Sequence, residues 1–177
     1  MVSERIAPPL TTESVLAALQ SVKDPEIPVV SVVELGIVQS VVVDGDEVKV
    51  SITPTFSGCP ALHVMRDEIE ACLRGLGASH VTVDILLDPP WSSDRIAPEA
   101  RERMKAIGLA PPPMMRRVSD QDPLLQLRVV GASESPTACP FCGSSDTDLE
   151  NAFGPTICRS LHYCHACQQP FEQFKSL

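Results

Sequence analysis

Two cysteine pairs toward the C-terminal end, Cys139-Pro140-Phe141-Cys142 and Cys164-His165-Ala166-Cys167, are the residues of this chain best suited to chemistry. Each C-x-x-C places two thiolates on one ion, and the 21 residues between Cys142 and Cys164 suffice for a hairpin that joins the pairs. Four thiolates so arranged make a closed tetrahedral site of the structural-zinc kind. The same donors suit an iron–sulfur cluster, and the sequence leaves that alternative open. A Gly- and Pro-punctuated segment of about 40 residues buries too little apolar surface to fold alone, so metal binding would supply its folding energy. The competing reading is a disulfide framework. Seven cysteines, an odd count, in a chain with no apolar leader argue for metal ligands and free thiols instead. His162 and His165 flank Cys164 and are redundant where four sulfurs are available.

A second candidate lies in Thr53-Pro54-Thr55-Phe56-Ser57-Gly58-Cys59-Pro60. Pro60 suits the first position of a helix, where its fixed φ fits and its missing N–H is not needed. That puts Cys59 at the N-cap, where free N–H groups and the helix dipole favour a thiolate and lower its pKa. The plainer reading is a cysteine used as a small cap. Cys72, on the apolar face of the same helix, reads as a core thiol. Asp24 and Glu26 lie in a prolyl loop and taken alone are solvated turn residues. If that loop folds over the helix start, a carboxylate and the Cys59 thiol share a ligand or a hydrogen bond. His63, one turn on, is in range to act as a base, but nothing in the sequence supplies the orienting group or oxyanion hole of a thiol hydrolase.

The elements that must position these groups follow from periodicity. A helix is expected from about residue 12 to 22, with Val15, Leu16, Leu19 and Val22 on one face and Thr11 or Thr12 as cap. It stops at Asp24-Pro25-Glu26-Ile27-Pro28. Strands at about 37–43 and 47–53 flank the turn Asp44-Gly45-Asp46, with Val48, Val50 and Ile52 facing inward. A helix over about 60–76 and a strand carrying Val81, Val83, Ile85 and Leu87 complete a crossover with two parallel strands. The order α-β-β-α-β predicts an α/β (α+β) domain with a small mixed sheet and both helices on one face. It spans residues 1–88. Residues 89–135 form a Pro-rich connector with a short helix at about 98–107, in which Ile96, Met104 and Ile107 are candidates for packing. Trp91 reads as a packing anchor, with a ligand contact as the sharper alternative. Residues 124–130 are a candidate strand leading into a metal-stabilised ribbon at 136–177.

Charge narrows the partners. The net charge is −9, and the segment from Pro136 sets Arg159 and Lys175 against Asp146, Asp148, Glu150 and Glu172. Phosphate-backbone binding needs basic surface, so no nucleic acid is expected. There is no apolar run near 18 residues, so no membrane span is expected, and the location expected is cytoplasmic.

Several motifs carry a resemblance. Asp24-Pro25-Glu26-Ile27-Pro28-Val29-Val30, Glu34-Leu35-Gly36-Ile37-Val38, Thr53-Pro54-Thr55 and Gly58-Cys59-Pro60 resemble the SufT-like family of iron–sulfur-cluster-assembly proteins. Asp88-Pro89-Pro90-Trp91, Pro98-Glu99-Ala100-Arg101-Glu102-Arg103, Phe153-Gly154-Pro155-Thr156-Ile157-Cys158 and Pro170-Phe171-Glu172-Gln173-Phe174-Lys175 look like its PaaD (PaaJ) branch. That branch belongs to the bacterial phenylacetyl-CoA epoxidase (monooxygenase) system of aerobic phenylacetate catabolism. The resemblance implies an accessory, non-enzymatic protein that assists metal or iron–sulfur centre assembly in the oxygenase or its reductase. Its partners would be the other subunits of that system. The chain agrees in lacking paired Glu-x-x-His helices and a G-x-G-x-x-G fingerprint. The resemblance also makes Cys59 the functional thiol with Asp24 and Glu26 beside it. The closed thiolate set and its spacing favour zinc as the metal of Cys139, Cys142, Cys164 and Cys167. The tails of that branch often carry a further cysteine where this chain has Ser176, so Cys158 is left as a spare thiol or an extra ligand. Two other readings stand beside maturation: a subunit that stays bound to the oxygenase, and a general iron–sulfur cluster carrier.

Overall fold

The computed structural model describes residues 9–56, 58–114 and 137–175. These fall into two units. One holds the residues up to 91 with 95–103; the other holds 92–94 with 104 onward. The candidate strand at 124–130 lies outside the described residues.

In the first unit, Thr11 opens helix α1 (Thr12–Leu19) through a reciprocal cap. Its hydroxyl accepts the Ser14 N–H at 3.1 Å while Ser14 Oγ accepts the Thr11 N–H at 2.9 Å. The helix ends three residues earlier than its apolar spacing suggests. Val22 is nonetheless buried, in a tightened turn whose N–H reaches the Leu19 carbonyl. Strands β1 (Val38–Asp44) and β2 (Glu47–Ile52) form an antiparallel hairpin around Gly45, whose φ of 60° suits glycine in the turn. Helix α2 (Leu62–Leu76) then returns the chain to β3 (His80–Ile85), which pairs parallel to β2. The sheet order is β1-β2-β3. Helices α1 and α2 pack on each other and on the sheet, as an α-β-β-α-β pattern requires.

The core of this unit is aliphatic. Val15, Leu19, Ile27, Val30, Val32, Leu35, Ile37, Val50, Ile52, Ile69 and Leu73 are fully buried, each side chain contributing about 1.5–3 kcal/mol of transfer free energy. Three expectations need correction. Leu87 lies beyond β3 and is exposed, because the ladder ends at Ile85. Ile107 is exposed, while Ile96 and Met104 are buried. Cys72 is half-buried rather than in the core; its thiol donates to the Ala18 carbonyl at 3.5 Å between the two helices.

Helix α3 (Pro98–Ala106) contributes its first two turns to this unit. Trp91 is 5% exposed and its indole N–H donates to the Leu35 carbonyl at 2.9 Å, which is the packing anchor. The second unit is a four-stranded sheet of β4 (Leu109–Ala110), β5 (Thr147–Asn151), β6 (Arg159–Cys164) and β7 (Gln169–Phe174), in the order β4-β7-β6-β5. Strands β5, β6 and β7 are antiparallel neighbours, and β4 runs parallel to β7. Its central core is small: Ala110, Cys139, Cys164 and Phe171, with Cys167 packed against them.

Among the described glycines of the first unit, Gly36 combines a left-handed backbone with the closest backbone approach. Its φ is +73°, and an added Cβ would lie 2.5 Å from Arg95 Cβ and 2.7 Å from the Arg95 carbonyl oxygen. Gly36→Ala is expected to lose about 2 kcal/mol or more from left-handed strain plus that clash, read as a lower urea midpoint with an unchanged m-value.

Candidate functional site

The Asp24–Val30 loop is built by proline and one carboxylate. Pro25 and Pro28 need no hydrogen-bond acceptor, and both are exposed. Asp24 Oδ1 accepts the N–H groups of Glu26 at 2.8 Å and Ile27 at 2.9 Å, closing an Asx turn. Asp24 N–H to the Val30 carbonyl at 3.0 Å, and Val32 N–H to the Val22 carbonyl at 3.0 Å, pinch the neck of the loop. Ile27, fully buried, plugs it into the core. Asp24 is therefore buried, at 7% exposure, rather than solvated, and Glu26 is half-buried.

Cys59 stands two residues before the N-cap of α2, which is Ala61, so the expected cap assignment is displaced. Its sulfur still faces the N–H groups of Ala61 and Leu62, as a capping group would. The expected lowering of its pKa is overturned. Burial pushes the thiol up first, and the charges of Asp24 and Glu26 push it further, against the pull of those two N–H groups. The same balance brings Asp24, Glu26 and Cys59 into one electrostatic neighbourhood. The thiol is kept protonated beside two acids and half-buried. His63 is exposed on the first turn of α2, and no hydrogen bond ties it to Cys59 among the described residues.

In the second unit the four cysteines converge. The sulfurs of Cys139, Cys142, Cys164 and Cys167 all lie within 4.8 Å of one another. Cys139 and Cys167 sulfurs are 3.7 Å apart, and those of Cys142 and Cys164 are 3.6 Å apart. Ligation at the usual zinc–sulfur length of about 2.3 Å makes the edge of a tetrahedron roughly 3.8 Å, so the sulfurs fit a single tetrahedral ion. Among the described residues this is the one group of three or more such side chains close enough to hold a metal.

Two matching turns build it. Gly143 follows the first pair with φ +76°, and Gln168 follows the second with φ +58°. The left-handed residue in each case turns the chain back so that both sulfurs of a pair point the same way. Glycine does this freely; glutamine does it at a cost, and nothing in the residue type announces it. The backbone N–H of Cys167, aided by the neighbouring thiols, draws the Cys164 thiol down to about 7, while burial pushes Cys167 up to about 12. Four crowded sulfurs cannot all ionise without a cation among them. Cys158 is elsewhere. It is buried at the opposite end of β6 from Cys164, against Thr156 Oγ1 at 3.1 Å, and is not part of the four-sulfur group. His162 stacks on Phe171, with ring centroids 5.3 Å apart, and His165 pairs with Asp148 at 2.8 Å; neither joins the sulfurs.

A thiol-bearing α-β-β-α-β domain followed by a four-sulfur β-ribbon defines the class. Residues 12–85 match the family described as iron-sulfur cluster assembly protein, and residues 127–175 match the PaaD zinc beta ribbon domain. A relative in Escherichia coli (strain K12), provisionally named as one of the subunits of 1,2-phenylacetyl-CoA epoxidase, is 36% identical over 172 residues, covering 97% of this chain and 96% of its own. The chain belongs to the PaaD family. A shorter relative, the Fe-S protein maturation auxiliary factor YitW of Bacillus subtilis (strain 168), is 35% identical over 91 residues, covering 50% of this chain and 88% of its own. Among solved structures, a conserved hypothetical protein from Thermotoga maritima is 36% identical with a TM-score of 0.48, covering 54% of this chain and 94% of its own. Among the described residues no helix is long and apolar enough to cross a membrane.

Two outcomes follow from this geometry. Glu26→Gln removes one of the charges opposing the thiolate, so the pH profile of Cys59 alkylation should move to lower pH; an unmoved profile would place Glu26 outside that neighbourhood. Gly143→Val should cost about 1–2 kcal/mol in the ribbon through left-handed strain, whereas Gln168→Gly should be neutral or stabilising, both read by thermal unfolding of the full chain.

Proposed function

We propose that this protein is a non-enzymatic maturation factor of a phenylacetyl-CoA epoxidase system, handling iron or an iron–sulfur centre destined for the oxygenase or its reductase. The observation that carries this reading is the neighbourhood of Cys59, Asp24 and Glu26 inside a domain of the iron–sulfur assembly type. Two carboxylates attract a cation, and the thiol gives up its proton to solvent as sulfur binds the metal. A tight, closed cage would not release its cargo. Here the three groups stand near each other without converging as the four cysteines do, which suits a centre held briefly and handed on.

In the same reading the ribbon is a structural module in which Cys139, Cys142, Cys164 and Cys167 hold one zinc ion. The 3.6 and 3.7 Å sulfur separations favour a single ion over an iron–sulfur cluster, whose irons and sulfides must fit between the ligands. Zinc would supply folding energy there and no redox chemistry. Binding energies of structural zinc sites, on the order of 10 kcal/mol, far exceed what so small a core offers. The partners in this reading are the other subunits of the epoxidase system, met in the cytoplasm, with no nucleic acid and no membrane. In this reading residues 1–88 act on the cargo, with Trp91 and 95–103 packed on them, and 136–177 is the zinc module, whose sheet β4 joins.

Replacing Cys142 by Ser should release the metal and unfold the ribbon while the first unit persists; one zinc per chain retained in that variant would sink the ligand set. Absence of visible absorption in anaerobically purified protein separates zinc from a cluster. Cys59→Ala should leave the fold intact yet impair growth on phenylacetate, with the oxygenase isolated from that strain poor in iron. Poor growth with a fully loaded oxygenase would instead indicate a stably bound subunit, and normal growth would remove Cys59 from the mechanism.

A further inference from the structure

Beyond residue 85, where the match to the assembly family ends, the chain does not simply leave the first unit. Trp91 and residues 95–103 lie along the limb that follows the Asp24–Pro28 loop and are tied to it residue by residue. The Arg103 Nε–H donates to the Val29 carbonyl at 2.9 Å, immediately after the loop. The Arg103 guanidinium also pairs with the Glu34 carboxylate. The Ala97 N–H donates to the Glu34 carbonyl at 2.8 Å, Trp91 Nε1–H to the Leu35 carbonyl at 2.9 Å, and Arg95 to the Val38 carbonyl at 3.0 Å. Gly36 lets the Arg95 backbone approach where any side chain would clash.

Glu34 is the hub. Its carboxylate accepts the Ser31 N–H at 2.9 Å, and its own N–H donates to Ser31 Oγ at 3.1 Å. Ser31 Oγ in turn donates to Gln20 Oε1 at 2.8 Å, and Lys23 Nζ stands 3.9 Å from the Glu34 carboxylate. Burial alone would raise the Glu34 pKa, but the Ser31 N–H and Arg103 more than offset it and hold the group charged at neutral pH. One side chain thus links the turn after α1, the exit of the loop and helix α3.

We propose that Trp91 and residues 95–103 act as a strap, with Glu34 and Arg103 as positioning residues that hold the Asp24–Pro28 loop in place against Cys59. The inference rests on the reading of Cys59, Asp24 and Glu26 as the site that handles cargo. Neither Glu34 nor Arg103 touches the thiol; they act through Val29 and Ser31, which follow the loop directly. The hydrogen bonds that close the loop are local ones around Asp24, so without the strap they would open more often and let its two carboxylates drift from the thiol. A carboxylate that wanders from the thiol no longer shares a cation with it.

The test uses the full-length, metal-loaded protein and three variants, Arg103→Ala, Arg103→Lys and Glu34→Gln. Amide exchange of Ile27 and Val30 should quicken by about tenfold in Arg103→Ala, while Val48 and Val50 in β2 stay protected. The Cys59 alkylation profile should move to lower pH by about half a unit, roughly threefold in thiolate at a fixed pH, because the two carboxylates no longer oppose ionisation. Arg103→Lys should restore part of both, since it keeps the charge without spanning Val29 and Glu34 at once. Wild-type exchange and profile in folded Arg103→Ala would overturn the strap, and so would equal acceleration of β2, which marks general loosening. If Arg103→Ala does not fold, Glu34→Gln is read by the same two criteria. The outcome is separable from the function: if Cys59→Ala proves harmless in cells, the maturation reading falls while the exchange and alkylation results still decide the strap.

Discussion

Crowding four sulfurs into a space 4.8 Å across is the constraint on which the second unit depends. Thiolates repel, and the four sulfurs are not alike: the Cys167 N–H draws the Cys164 thiol down to about 7, while burial pushes Cys167 up to about 12. Everything around the sulfurs serves to bring them together. The left-handed residues Gly143 and Gln168 turn each pair, the Asp146 carbonyl accepts the His165 N–H, and the pairing of Cys164 with Gln169 starts the β6–β7 hairpin at the cluster. Among the described residues the cluster around the sulfurs adds only Ala110 and Phe171, so this end of the sheet closes chiefly on the cysteines.

The first unit solves a different problem. Its core is aliphatic and fully buried, and its polar features cluster at the loop. Asp24 serves twice. One oxygen caps the turn at Glu26 and Ile27, while the charge of the group reaches Cys59. Burial and like charge keep the resting thiol protonated, so its position near a helix start does not by itself make it a reactive thiolate. A permanently ionised cysteine at the surface would invite oxidation; a protonated one beside two acids does not.

Much of this is legible in the sequence, and the reason is local. The 2-residue period of β2, the glycine of the β1–β2 turn, the cap at Thr11 and the glycine ending α2 are short-range rules that the fold obeys. The cysteine spacing likewise announces a four-sulfur cluster. Expectations fail where burial or long-range contact intervenes. The apolar face of α2 points Cys72 toward the core, but that position meets the end of α1, where the Ala18 carbonyl offers a partner and solvent remains near. The helix start predicts an acidified Cys59, yet desolvation and two carboxylates from far along the chain outweigh the two N–H groups.

The sequence by itself determined the elements of the first unit and their order, the two cysteine pairs and the loop that carries Asp24 and Glu26, because turn chemistry, periodicity and ligand spacing act over a few residues. Only the tertiary structure decided which way the Cys59 pKa moves, that Cys158 stands apart from the four sulfurs, and that Arg103 reaches Val29 and Glu34 across some seventy residues of chain. Charge and desolvation act through space, and no spacing along the chain records them.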